Sequence, residues 1–159
     1  MFAVFLASCK SSNHTVVSRE SPGTVISNSQ AKAYFSVFEA LYKKDTGLNN
    51  GKYLALDLTK AKLTDKTQLI KLMHDFCNSH GYTLLQDTFE ELKEKGYIKN
   101  LSFNDGFLIT FNDKELTQKK LITSAKKWCS GLGAIGAEYT VEKKNDIWQI
   151  TKGTNFWIS

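Results

Sequence analysis

The chain has 159 residues, the length of one ordinary domain, and a chain of this size buries about two thirds of its unfolded surface. It is 42% hydrophobic, 12% aromatic and 23% charged, with a mean hydropathy of −0.31, which excludes a disordered chain and a polytopic membrane protein. The net charge of +5 suits anionic partners, but Arg19 is the only arginine among 21 basic residues. Because base reading and bidentate phosphate contacts favour arginine, we expect no nucleic-acid partner.

An apolar run opens the chain and stops at Cys9, where polar residues begin. The three residues before this cysteine are Leu6, Ala7 and Ser8, and together with it they resemble the bacterial lipobox, whose cysteine receives a lipid. The run is short and has no lysine or arginine before it, which a start codon placed too far downstream explains. We interpret residues 1–9 as a truncated lipoprotein signal peptide that anchors the protein to a membrane of the cell envelope through Cys9. The alternative is a buried apolar strand with Cys9 as a core thiol.

Residues 10–28 are predicted to form a flexible tether, because Ser, Thr and Asn dominate and the only proline, Pro22, is followed by Gly23. Fully extended, this segment spans on the order of 60 Å at about 3.3 Å per residue. One folded domain is then expected over residues 29–159.

Three helices are predicted in this domain. The first begins at the cap signal Asn28-Ser29 and ends before Gly47, and the second runs from Thr64-Asp65 to Gly81, each with one apolar stripe. Between them, residues 52–58 alternate as a half-buried strand. A third, short helix is predicted to begin at a capping box formed by Asp87 and Glu90.

The remaining residues have the period of strands. Residues 101–103 and 107–111 flank Asn104-Asp105-Gly106, a hairpin signal, and further strands are predicted at 119–129, 137–144 and 147–152, with residues 156–158 docked on the sheet. The predicted fold class is α+β, with two or three helices on one face of a curved, mainly antiparallel sheet of about five strands. This arrangement resembles the NTF2-like fold.

No cofactor or metal site is predicted. Residues 131–136 match G-x-G-x-x-G, but a strand pattern follows instead of a helix, so we interpret the glycines as a bulged or bent passage between strands. His74 and His80 lack metal-ligand spacing, and His80 is expected to bond the terminal carbonyls of its helix.

The candidate chemical groups outside the histidines have structural explanations. Cys77 and Cys129 are either core thiols, which we favour, or a disulfide. Asp57, Glu90 and Glu91 are the carboxylates that acid-base chemistry would use, but positions at a strand end and a helix start explain them. No catalytic residue is therefore predicted.

Lys126, Lys127 and Trp128 form the candidate ligand-binding group, since a tryptophan beside two lysines is typical of an exposed aromatic and cationic patch. The alternative is a tryptophan that simply packs in the core.

A family resemblance is carried by KKWCSGLGAIGA at 126–137, IWQI at 147–150 and WIS at 157–159. From about residue 50 onward the chain resembles small bacterial lipoproteins of unknown function, often labelled peptide ABC transporter substrate-binding proteins. Receptors of that class close two lobes around a ligand, and this chain is too short for two lobes. We expect a non-enzymatic envelope lipoprotein that binds a protein or small solute. The alternatives are a small cavity-based enzyme of the hydrolase type, or an inhibitor or immunity-type protein.

Overall fold

The computed structural model describes the backbone of residues 25–159 and the side chains from Gln30 onward. The expected signal peptide, the lipidation site Cys9 and the tether up to residue 24 lie outside the described residues. The first helix already includes residues 25–28, so its start predicted at Asn28-Ser29 is wrong. Once a helix has formed, each added residue gains a backbone hydrogen bond, which here outweighs the cap signal at Asn28-Ser29.

Three α-helices and six strands make up the described chain, with a short 3-10 turn at Thr46–Leu48. In chain order they are α1 (Val25–Lys44), β1 (Tyr53–Lys60), α2 (Thr67–His80), β2 (Thr83–Leu85), α3 (Phe89–Glu94), β3 (Gly106–Leu116), β4 (Lys120–Ser130), β5 (Gly133–Lys144) and β6 (Ile147–Ile158).

The strands form one open, curved, six-stranded sheet in the order β2-β1-β3-β4-β5-β6. From β3 to β6 every pairing is antiparallel, whereas β1 is parallel to both of its neighbours. A parallel pair needs a long crossover, and α2 supplies it between β1 and β2. The α+β prediction is confirmed, although the sheet is mixed.

The predicted hairpin at Asn104-Asp105-Gly106 is wrong. Residues before it form no strand; Ser102 makes only isolated bridges to Lys99 and Ser130. The Asp105 carbonyl instead accepts hydrogen bonds from the backbone amides of Lys52 and Tyr53. The turn therefore starts the parallel pairing of β3 with β1.

The capping box of α3 exists one residue later than predicted. Thr88, and not Asp87, is the N-cap, and the Glu91 carboxylate accepts a hydrogen bond from the Thr88 amide. Asp87 is instead paired with Lys95, 2.5 Å from Asp87 Oδ1 to Lys95 Nζ. This ion pair joins the start of α3 to its end.

The two faces of the sheet are covered differently. α1 and α2 bury one face in the main core, which includes Phe38, Met73 and Ile109. α3 lies on the other face, where Leu92 packs on Ala55 and Leu108, so two of the three helices share one face of the sheet. Because α3 has only six residues, most of that second face is left without a helix. We call it the open face.

Candidate functional site

A cavity of about 510 Å³ lies on the open face. One side chain of α3, Phe89, and residues of five strands line it. These are Asp57 and Lys60 from β1, Leu108, Thr110, Phe111 and Asn112 from β3, Ser124, Ala125, Lys126 and Trp128 from β4, Ala137 and Glu138 from β5, and Asn155 and Trp157 from β6.

The strand register explains why residues so distant in the chain meet here. One row of paired residues crosses five strands, from Asp57 through Thr110, Lys126 and Gly136 to Trp157. Side chains of residues paired across neighbouring strands lie on the same face. The row therefore places a carboxylate, a hydroxyl, an ammonium group and an indole along the floor of one cavity.

One tryptophan lies beside this row and another ends it. Trp128 lies two residues beyond Lys126 on β4, and its ring meets the Phe89 ring edge-on at 5.0 Å. Trp157 lies over Gly136, since a Cβ on that glycine would be 2.5 Å from the indole ring. Gly136 thus has a structural reason: only a residue without a side chain leaves room for Trp157.

The two acidic residues of the cavity already have partners. Glu138 forms an ion pair with Lys114. Asp57 Oδ1 accepts hydrogen bonds from the Thr59 amide at 2.8 Å and the Thr59 hydroxyl at 2.6 Å. In contrast, the ammonium group of Lys126 has no hydrogen bond, ion pair or cation–π contact within the described part of the chain.

The structure brings together only two of the three residues of the predicted ligand-binding group. Lys126 and Trp128 both line the cavity. Lys127 is fully buried on the opposite face, under α1, so its place in an exposed patch is wrong. Successive side chains of a strand point to opposite faces, and three consecutive residues cannot share one.

Lys127 has a separate role at the end of α1. Its Nζ donates hydrogen bonds to the carbonyl oxygens of Tyr42 (3.3 Å) and Asp45 (2.5 Å) and to Asn49 Oδ1 (2.7 Å). A cation is favourable beside the carbonyls of a helix C-terminus. Burial lowers the pKa of the Lys127 ammonium to about 8, although the Asp45 carboxylate and the Cys129 thiol act in the opposite direction.

The other predicted candidates lie away from the cavity, except Asp57. His80 Nδ1 lies 2.9 Å from the Phe76 carbonyl oxygen at the end of α2, which confirms its helix-end position. Glu91 is part of the cap of α3, and hydrogen bonds from Thr88 lower its carboxyl pKa. Cys77 and Cys129 form no disulfide, and burial raises the pKa of the Cys77 thiol to about 11.

The two carboxylates that line the cavity, Asp57 and Glu138, belong to strands that are not adjacent. Three strand spacings separate their backbones, about 14 Å along the sheet. Among the described residues, no group of three or more His, Cys, Asp or Glu side chains is placed to hold a metal ion. None of the described helices is both long enough and apolar enough to cross a bilayer.

Sequence reasoning missed the contribution of β6, Asn155 and Trp157. Residues 156–158 were expected only to dock on the sheet, which they do as the last part of β6, and no role was predicted for Asn155. A detectable signal was Gly136, since a glycine inside a strand often marks the close approach of another group. Comparisons with family models, with curated proteins and with solved structures gave no match for this chain.

Proposed function

We propose that this protein is a non-enzymatic lipoprotein of the cell envelope that binds a small solute in the open-face cavity. The observation that carries the proposal is the cavity itself, a recess lined by two tryptophans, several neutral polar side chains and a lysine whose ammonium group has no partner in residues 25–159. Small-molecule sites have this composition, mostly apolar with a few convergent polar groups. Its volume of about 510 Å³ also falls within the roughly 300–1,000 Å³ of such sites.

A small solute fits this surface better than a protein partner. The cavity is a recess with Trp128 and Trp157 in its lining, whereas protein interfaces are broad patches of about 800 Å² per partner. The anchoring part of the proposal is supported by the sequence around Cys9 alone. A lipid there and a tether behind it would hold the cavity outside the cytoplasm.

Intrinsic fluorescence tests the binding proposal, because the three tryptophans divide between the two faces. Trp128 and Trp157 line the cavity, while Trp148 is buried in the main core at 8% exposure. The full chain would be titrated with the low-molecular-mass extract of the native organism's envelope. We expect saturable quenching in the wild type and in Trp148→Phe, and much weaker quenching in the double variant Trp128→Phe, Trp157→Phe.

Thermal unfolding of the same samples provides the second measurement. A solute present at 100 times its Kd stabilises the folded state by about 2.7 kcal/mol, which raises the midpoint temperature by several degrees. An extract that neither quenches the cavity tryptophans nor raises the midpoint would contradict the proposal. Quenching that survives in the double variant would place the solute elsewhere.

A further inference from the structure

We infer that the solute carries a carboxylate attached to a ring, with the carboxylate bound by Lys126 and the ring stacked against the neighbouring indoles. The inference rests on the proposed function and specifies the ligand class of the same cavity. The inference is carried by Lys126, a half-buried residue whose ammonium group has no partner among the described residues.

Five lysines of the described chain are half-buried or buried, and Lys126 is the one among them whose ammonium group has no acceptor. The others are Lys66, Lys120, Lys127 and Lys143, and each has an acceptor. Lys66 donates to the Leu58 carbonyl, Lys120 and Lys143 pair with carboxylates, and Lys127 has three acceptors. At Lys126, by contrast, the described residues supply no acceptor for the ammonium group.

The neighbours of Lys126 in the sheet offer no free anionic group to its ammonium group. In the adjoining strands Lys126 faces Thr110 on one side and Gly136, which the Trp157 indole covers, on the other. The diagonal neighbour Glu138 is held by Lys114, and Asp57 lies two strands away, about 10 Å along the sheet. An anionic group of the solute is the missing partner.

The charge of the surroundings favours a monoanion. Three cations, Lys60, Lys114 and Lys126, and two carboxylates, Asp57 and Glu138, lie in or beside the cavity, which leaves one positive charge in excess. A carboxylate neutralises this excess, whereas a phosphate dianion would reverse it. A single lysine also offers a point charge and lacks the planar fork with which arginine binds phosphate.

The positions of the two cavity tryptophans indicate that the rest of the solute contains a ring. Trp128 lies two residues from Lys126 on the same strand, about 7 Å away, and the indole of Trp157 lies over Gly136, directly beside Lys126 in the register. A carboxylate in contact with Lys126 therefore places its own ring next to an indole. Flat apolar faces, of aromatic rings and of sugars, are what an indole face binds.

Pairs of probes that differ only in charge test this inference on the full chain. The probes are phenylacetate with its neutral match phenylacetamide, and glucuronate with its neutral match glucose, titrated calorimetrically at low salt. We expect at least one acid to bind about tenfold more tightly than its match, since a charge-assisted hydrogen bond is about twice as strong as a neutral one.

Lys126→Gln should bind the acid only as tightly as its neutral match. Lys126→Arg should retain the preference for the acid. Lys152→Gln is the matched control, because it removes an exposed lysine of β6 outside the cavity lining. It should leave the affinity for every probe unchanged. The urea midpoint of Lys126→Gln should equal that of the wild type, so a loss of binding does not reflect unfolding.

Three outcomes would overturn the inference: equal affinity for acid and match, a preference that survives in Lys126→Gln, or no binding of any probe up to its solubility. If the envelope extract still quenches the cavity tryptophans, the proposed function stands and only the ligand class is wrong. If the extract also fails, both are wrong.

Discussion

Lys126 and Lys127 are consecutive in the chain and have opposite environments. Lys126 lines the cavity, and its ammonium group has no partner in the described part of the chain, whereas Lys127 is fully buried with three oxygen acceptors at the end of α1. The sequence around them does not reveal which lysine points inward. Both alternating sets of β4 mix polar and apolar residues, so a period of two predicts the strand and leaves its buried side undecided.

The first prediction concerns the stability contribution of Lys127. We expect Lys127→Met to lower the free energy of unfolding by about 2 kcal/mol, because the buried Asp45 carbonyl and the Asn49 side-chain oxygen lose a donor. Urea unfolding measures this loss. Lys126→Met is the matched control and should stay within about 0.5 kcal/mol of the wild type. Equal losses in both variants would contradict the role of Lys127.

The second prediction concerns the pH dependence of stability. Burial lowers the pKa of Lys127 from 10.5 to about 8, so between these values the unfolded chain binds a proton that the folded chain has released. Stability due to this group therefore rises with pH across that range. We expect the difference in unfolding free energy between the wild type and Lys127→Met to grow from pH 8 to pH 10.

The comparison with Lys127→Met matters because other groups act against this trend. Burial raises the pKa of the Cys77 thiol to about 11, and it also raises the pKa of the Tyr34 hydroxyl. Both groups therefore lower the stability of the folded state as the pH rises through the pKa values that they have in the unfolded chain. These contributions are present in both proteins and cancel in the difference. A difference that stays constant from pH 7 to pH 10 would show that Lys127 keeps its proton throughout.

At the scale of elements, local signals predicted the helices well and the pairing of strands poorly. The apolar stripes of α1 and α2 follow from helical periodicity, as does the existence of α3. The turn at Asn104-Asp105-Gly106 has hairpin chemistry, yet its backbone is used by residues Lys52 and Tyr53. The sequence of the turn does not indicate that its hydrogen-bonding partners lie more than 50 residues earlier in the chain.

The third prediction concerns the contact between β5 and β6 that forms one wall of the cavity. A Cβ at Gly136 would lie 2.5 Å from the Trp157 indole, so Gly136→Ala should cost about 1–3 kcal/mol of unfolding free energy through overpacking. Removing the Trp157 ring should remove most of this loss of stability. In a Trp157→Ala background we expect the same substitution to cost at least about 1 kcal/mol less.

Gly131→Ala is the control for this cycle, since a Cβ at Gly131 has no atom within 4 Å and should change stability by less than about 0.5 kcal/mol. Additive costs of Gly136→Ala and Trp157→Ala would mean that the indole does not lie over the glycine in solution.

At the scale of the whole molecule, the sequence predicted the class of fold but not the cavity. The α+β class follows from helical patterns early in the chain and strand patterns later. The cavity depends on residues from five strands meeting in one register, and on α3 covering only one end of the open face. Of the candidate site, Lys126 and Trp128 were predictable because they are neighbours on one strand, whereas Trp157 required the pairing of β5 with β6.

The fourth prediction concerns the anchoring of the molecule. Expressed from its own locus in the native organism, the protein should incorporate a clickable fatty acid and sediment with membranes. Cys9→Ser should abolish both, because the thiol is the expected acceptor of the lipid. Cys129→Ser is the control and should be labelled like the wild type. Equal labelling of Cys9→Ser and the wild type would contradict lipidation at Cys9.

The parallel pairing of β1 with β3 has a consequence for how the chain assembles. Strands β3 to β6 are joined by short turns, whereas Tyr53 of β1 pairs with Gly106, 53 positions later. Closing so long a loop is slow compared with forming local contacts. We expect the four C-terminal strands to acquire protection first in pulse-labelling hydrogen exchange, and β1 to follow; the rows of residues that make the cavity would then be completed only in the last step of folding.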